Sequence, residues 1–322
     1  MNIRARIPRT IVIAALATLT LAGTGVASAG NPAGKADAPV SKPVGPRPES
    51  ITKGWDGKFF VSIQGDPTLG RNDGEIRTFD PDTGAVSTFV TGLDNPRGLA
   101  FTGKFLVVTD TSVVWIIEKS GAKRILAAPA NFPHPVAFFN DAAPETGGKA
   151  VYVTEMGGRT FQRDPSTGRL WPTDSPQALA IPVTSRVYRI SIYGQVTEVV
   201  TPSRKLLIMN GVTEANRHGH LLAVDMFYGN LVDVDLHSNK KNIIVTGLRA
   251  ADGLAQAHDG SYYVSSFDNG IVYHVDRDGE NIQVLIQDVG FSSTADLYLD
   301  EQAKRVLVPD TLHNAIIVIS LS

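Results

Sequence analysis

Four oxygen-bearing side chains, Glu49, Asn140, Asn210 and Asp252, recur in one local setting, each just ahead of a short apolar segment with strand character. The residue two places before the first apolar position of each such segment is Glu49, Arg97, Asn140, Asn210, Asp252 and Ala295, at spacings of 48, 43, 70, 42 and 43 residues. All but Ala295 are polar or charged, which an arbitrary column of strand residues is not. Two carboxylates and two amide oxygens converging on one point form a hard donor set that suits calcium. The set holds no histidine or cysteine, so zinc fits it poorly. Without a cation Glu49 and Asp252 would repel each other. The competing reading is that these side chains line a wet channel or bond to one another.

Such convergence requires a fold that repeats. Lys58–Ser62, Phe105–Thr109, Ala150–Thr154, Leu221–Val224, Ser261–Ser265 and Arg305–Val308 are short, rich in β-branched and aromatic residues, and bounded by Gly, Asp, Asn or Pro, as strands are. Each is preceded by another apolar segment across a turn and followed by a third, such as Val114–Ile117 or Arg186–Ile190. Most units add a fourth, as at Val86–Val90 and Gln195–Val200. Four antiparallel strands repeated about every 43 residues are the signature of propeller blades, and six copies fit the length. The expectation is an all-β, six-bladed propeller over residues 49–322, its polar column lining the central channel. The last blade runs out of chain after three strands, so its fourth is expected from Lys42–Pro48, kept short and at an edge by the prolines there.

One unit departs from the repeat. The third blade carries about 27 extra residues between Thr154 and Ser185, including Gly157-Gly158-Arg159, Trp171 and several prolines. That position is a loop between second and third strands, at the end of the channel where the inner strands begin. A lid or specificity loop at about 155–185 and a functionless surface elaboration are both open readings.

Composition narrows the classes. Arg4, Arg6 and Arg9, the apolar run Ile11–Ala22 and Ala27-Ser28-Ala29 make a secretory signal peptide with cleavage near Ala29/Gly30, too short an apolar run to span a bilayer. The chain is expected to be secreted, with no membrane anchor. Residues 30–48 read as a Pro/Gly-rich arm. Removing residues 1–29 takes away three arginines and leaves 27 basic against 32 acidic residues, a net charge of −5. That balance, with no Lys/Arg cluster, argues against nucleic acid. The absence of cysteine removes disulfides and a thiol nucleophile. No G-x-S-x-G, H-E-x-x-H or phosphate-cradling glycine motif occurs, so serine-hydrolase and zincin chemistry are poor readings.

From Glu49 onward the chain resembles the gluconolactonase/regucalcin (senescence marker protein) family of six-bladed propellers, and more distantly the paraoxonases. The resemblance rests on Glu49, Asn140-Asp141, Asn210-Gly211 and Asp252-Gly253, in order and in register with the blades. It implies a divalent metal, usually calcium, on Glu49, Asn140, Asn210 and Asp252, and hydrolysis of lactones. Two departures stand out. Ile51 replaces a frequent proline, and Phe138 replaces an arginine that in the family helps grip a sugar lactone. The apolar Phe138-Phe139 and Phe227-Tyr228 point to a less hydrophilic substrate. Arg97 is a candidate anchor for a carboxylate or carbonyl, or an ion-pair partner of Glu49 or Asp252.

The chemistry implied is metal-assisted hydrolysis of a small-molecule lactone or ester, the cation polarising the carbonyl. Asp252, as ligand and base, leads the candidates for activating water. Asp141 is a second, and His134, on an approach loop six residues before Asn140, a third. Substrate contacts are expected from Arg97, Asn140, Phe138 and Phe227. The alternatives are a non-catalytic propeller that binds a ligand or protein around a structural metal, and a lyase acting on a cyclic ester.

Overall fold

In a computed structural model of the protein, the described residues are 38–66, 72–287 and 293–321. The expected signal peptide and its cleavage position lie outside them, as does the arm up to residue 37. Among the described residues no helix is long and apolar enough to cross a membrane.

Six four-stranded antiparallel sheets form the blades. Their inner strands are Pro48–Lys53, Pro96–Phe101, Phe139–Pro144, Met209–Glu214, Ala251–Gln256 and Tyr298–Asp300. Blade 6 takes its outermost strand from the N-terminal side of the chain. Val40–Pro43 pairs antiparallel with Ala315–Ser320, Val40 opposite Val318 and Pro43 opposite Ala315. The ring therefore closes between the two ends of the chain, as expected. The pairing strand lies a few residues earlier than Lys42–Pro48, because Pro48 already opens the first inner strand.

Apolar side chains pack between blades rather than around one centre. Ile76 and Leu93 of blade 1 meet Leu99, Leu106 and Val108 of blade 2, and equivalent wedges fill the other interfaces. A seventh cluster lies under the blade-3 elaboration. There Ala178 and Ile181 pack on Met156, Leu207, Ile208, Met226 and Phe227. That segment is folded locally, with a helical turn at Gly158–Phe161 and a one-turn helix at Pro176–Ala180 capped by the Ser175 hydroxyl.

The inner strands share one irregularity that decides where their side chains point. In blades 1 to 5 the pairing register with the second strand shifts, between Pro48 and Ile51, Pro96 and Leu99, Phe139 and Ala142, Met209 and Val212, and Ala251 and Leu254. Each shift frees a dipeptide from the ladder and re-aims it, as bulges do. The dipeptides are Glu49-Ser50, Arg97-Gly98, Asn140-Asp141, Asn210-Gly211 and Asp252-Gly253. In blades 1, 3 and 5 the loosened amide of the second residue is satisfied by a hydroxyl of the second strand. Ser62, Thr154 and Ser265 accept from the amides of Ser50, Asp141 and Gly253.

The second member of each pair locks a blade to the next. Asp141 accepts the Val212 amide of blade 4 at 2.7 Å, and the Ser50 hydroxyl accepts the Leu99 amide of blade 2 while donating to Asp296 of blade 6 at 2.5 Å. At Gly98 and Gly211 no side chain fits. A Cβ would run into the Asp141–Ala142 backbone in one case and the Asp252 carbonyl in the other.

Candidate metal and substrate site

The first member of each pair faces a cavity of about 350 Å³ at one mouth of the channel. Glu49, Arg97, Asn140, Asn210 and Asp252 all line it. Ala295, the apolar member of the sequence column, does not. The four oxygen-bearing residues are 1–5 % exposed. Each presents one buried oxygen without a hydrogen-bond partner: Glu49 Oε2, Asn140 Oδ1, Asn210 Oδ1 and Asp252 Oδ1. A buried acceptor left unpaired costs about 1–3 kcal/mol, so four of them weigh heavily against a typical net stability of roughly 5–15 kcal/mol. A larger groove of about 670 Å³, lined by Lys53, Asp80 and Arg305 among others, holds no such atom.

The remaining polar atoms of the ring are engaged in ways that turn those oxygens inward. Asn210 donates through Nδ2 to Asp252 Oδ2 at 2.8 Å, and Asn140 donates through Nδ2 to the Met156 sulfur at 3.3 Å. Asn210 Nδ2 also lies 3.9 Å from the Met226 sulfur. Met156 and Met226 each stand just after the second strand of their blade. Both belong to the cluster beneath the elaboration, so packing there supports the ring amides.

Burial dominates the electrostatics. Desolvation raises the Glu49 carboxyl to about 7, despite an Arg97 Nη1 to Glu49 Oε1 contact of 3.5 Å. Asp252 is pushed well above the usual carboxylate range by burial and then by the charge of Glu49. The fit to a divalent cation is good: two carboxylates that resist ionisation beside each other and two amide oxygens lacking donors are what a hard cation satisfies. Among the described residues no three His, Cys, Asp or Glu side chains gather in such a group; the donor set here is half amide.

Other sequence candidates fall elsewhere. Asp141 has its Oδ1 on the Ala142 amide and its Oδ2 on Val212. It lines a separate cavity with Asp296 and Ile51 rather than the ring cavity. Burial raises it to about 6. His134 bonds through Nε2 to Glu198 Oε2 at 2.9 Å; Glu198 belongs to the outermost strand of blade 3, and His134 does not line the ring cavity. Phe227 is fully buried beneath the elaboration, edge-on to Tyr228, and also stays out of the cavity. Phe138 sits just behind the cavity wall with two guanidinium groups over its ring, Arg97 at 4.3 Å and Arg159 at 3.9 Å.

Arg159, Gln162, Arg163 and Gly168 of the elaboration complete the cavity wall, together with Met156, Met226, Phe267 and Asp268. Arg163 makes a two-pronged ion pair with Asp268, at 2.8 and 2.9 Å, tying the elaboration to blade 5 across the mouth. Arg249 adds a bond to the Trp171 carbonyl. The sequence placed the elaboration at this mouth but did not single out Arg159, Arg163 or Asp268 as cavity residues. Their meeting depends on a span of more than 100 residues that no local pattern encodes. The two methionines carried a readable signal, each lying 16 residues after a ring asparagine.

The family model described as the SMP-30/gluconolactonase/LRE-like region matches residues 71–291 of the chain. Among solved structures, the chain is similar to a gluconolactonase from Xanthomonas campestris described as important in glucose secondary metabolic pathways, at 15 % identity, covering 87 % of this chain and 88 % of that one, with a TM-score of 0.62. It is also similar to a chain of a nidogen/laminin complex, at 12 % identity, covering 75 % of this chain and 80 % of that one, with a TM-score of 0.54. At these identities the structures share the fold alone. No curated protein sequence matches the chain.

Proposed function

Given that the chain belongs to the SMP-30/gluconolactonase/LRE-like family, we propose that it is a divalent-cation-dependent hydrolase of lactones or related esters, calcium being the cation its donors suit best. The observation that carries this reading is the set of four buried, unpartnered oxygens from four blades facing one cavity. Glu49, Asn140, Asn210 and Asp252 would hold the cation. A cation bound there would polarise an ester carbonyl and stabilise the charge that develops on its oxygen.

The chain's own residues supply the rest. Asp252 is the base. Its Oδ2 is fixed by Asn210 and its Oδ1 faces the cavity as a cation ligand; the second lone pair of Oδ1 would take the proton of the attacking water and return it to the leaving alkoxide. Asp141 is tied by backbone donors and His134 is paired outside the cavity, so neither is placed to act on substrate. Gln162, 3 % exposed with an unpartnered Oε1 on the cavity wall, offers an acceptor for a substrate hydroxyl. The elaboration narrows the mouth and shields the reacting groups from water. The leader expected at residues 1–29 supports an exported enzyme.

The test is a pH-indicator screen of lactones and esters with calcium, with chelator, and with the Asp252→Asn variant. Turnover lost on chelation and in the variant supports the hydrolase. Cation binding without turnover of any ester would instead favour the second reading, a binding propeller with a structural metal, which the phenylalanine at 138 in place of the family's arginine also favours.

A further inference from the structure

The ionisable side chains lining the ring cavity are three acids, Glu49, Asp252 and Asp268, and three arginines, Arg97, Arg159 and Arg163. With both ring carboxylates ionised, as a bound cation requires, their formal charges balance. Arg97 contacts Glu49 and Arg163 is held by Asp268. Arg159 is different: among the described residues its guanidinium makes no ion-pair contact or hydrogen bond, is drawn by the Glu49 charge only at longer range, and stands over the face of Phe138 at 3.9 Å. Arg97, 8 % exposed, stacks on the same ring and keeps its buried Nε without an acceptor. Two guanidinium groups are thus gathered on one phenylalanine at the wall of the cavity, with donors unspent. Like charges so placed repel, and an oxyanion between them relieves both the repulsion and the unmet donors.

Building on the hydrolase reading, we propose that Arg159 and Arg97 form an anion subsite, and that the substrates are esters or lactones carrying a carboxylate away from the scissile bond. A divalent cation on the ring leaves the cavity with about two net positive charges, a field that favours anionic over neutral substrates. One unpartnered guanidinium matches one negative charge, which favours a carboxylate over a phosphate dianion. The elaboration of blade 3 supplies Arg159, so it sets specificity and does not merely cover the mouth.

The test uses the full chain with calcium, titrated calorimetrically with glutarate and with its monoamide, which keeps one carboxylate for the ring cation and makes the other end neutral. Wild type should bind glutarate at least about tenfold more tightly, the scale of one charge-assisted contact. Arg159→Gln should erase that preference, and Arg159→Lys should keep part of it, both variants melting with the wild type. No preference for glutarate, or a preference that survives Arg159→Gln, would overturn the inference. In parallel, kcat/KM is compared for a neutral aryl ester and its carboxylate-bearing counterpart. Chelator-sensitive turnover of both at equal efficiency would overturn the anion subsite and leave the hydrolase standing. Arg159-dependent glutarate binding with no turnover of either ester would uphold the subsite and sink the hydrolase.

Discussion

Glu49→Gln should stabilise the protein in the absence of cation while abolishing its response to calcium. Burial moves the Glu49 carboxyl from its ordinary 4.5 to about 7, so the folded state holds a proton that the unfolded state has released. Stability from this group is fully present below about pH 4.5 and is lost as the pH rises through about 7. At about 1.4 kcal/mol per pH unit, the loss approaches ~3 kcal/mol by about pH 8. Glutamine mimics the protonated carboxyl and can still accept from Arg97, so the variant escapes the loss. For a chain of this size that is a gain of about 6 °C at pH 8, at roughly 2 °C per kcal/mol. The assay is thermal melting of both proteins in chelator from about pH 5 to about pH 8. Asp225, raised to about 7 by burial with no part from Glu49, slopes in the same direction in both proteins and cancels from the difference, whereas Asp252 and Asp296, raised in part by the Glu49 charge, relax in the variant and add to its gain. The two should lie close near pH 5, draw apart between about pH 5 and about pH 7 and stay apart above it, and excess calcium should reverse the order by binding only the wild type. Difference curves that stay flat across the pH range would refute the electrostatic account of the ring.

Met156→Leu removes the sulfur that holds the Asn140 amide while keeping the volume, and should weaken calcium binding by about three- to fivefold, the scale of one weak hydrogen bond, with little change in melting temperature. Gly98→Ala places a Cβ against the Asp141–Ala142 backbone and should cost about 1–3 kcal/mol, as overpacking does, read as a fall in urea midpoint. His134→Gln breaks only the contact with Glu198 on an outer strand; hydrolysis should stay within about twofold of wild type, and a loss of an order of magnitude or more would return His134 to the catalytic site.

The blades and the polar column were legible because both rest on local repetition. Short β-branched strands bounded by turn residues recur at near-constant spacing, and the residue at the start of each inner strand can be compared with its counterparts inside a single chain. The dipeptides also carried their own explanation. Ser50 and Asp141 bond to the neighbouring blade and Gly98 and Gly211 let its backbone approach, so the pattern at the second position is steric and hydrogen-bonding in origin. Direction within an irregular loop was not legible. Phe227 and Met226 are adjacent, yet one is wholly inside an apolar cluster and the other reaches the cavity, a choice set by packing against Ile181 and Ala178. Arg159 came to stand over the ring of Phe138 for the same reason: the elaboration folds back over it, tied down through Asp268 and Arg249.

The most direct test of the ring is a crystal structure of the protein grown with calcium. The account predicts one strong peak bonded to Glu49 Oε2, Asn140 Oδ1, Asn210 Oδ1 and Asp252 Oδ1, at about 2.3–2.6 Å as oxygen ligands of calcium lie, with water or substrate completing the shell. A ring filled only by water under saturating calcium, or calcium bound elsewhere while these four oxygens bond to one another, would contradict it.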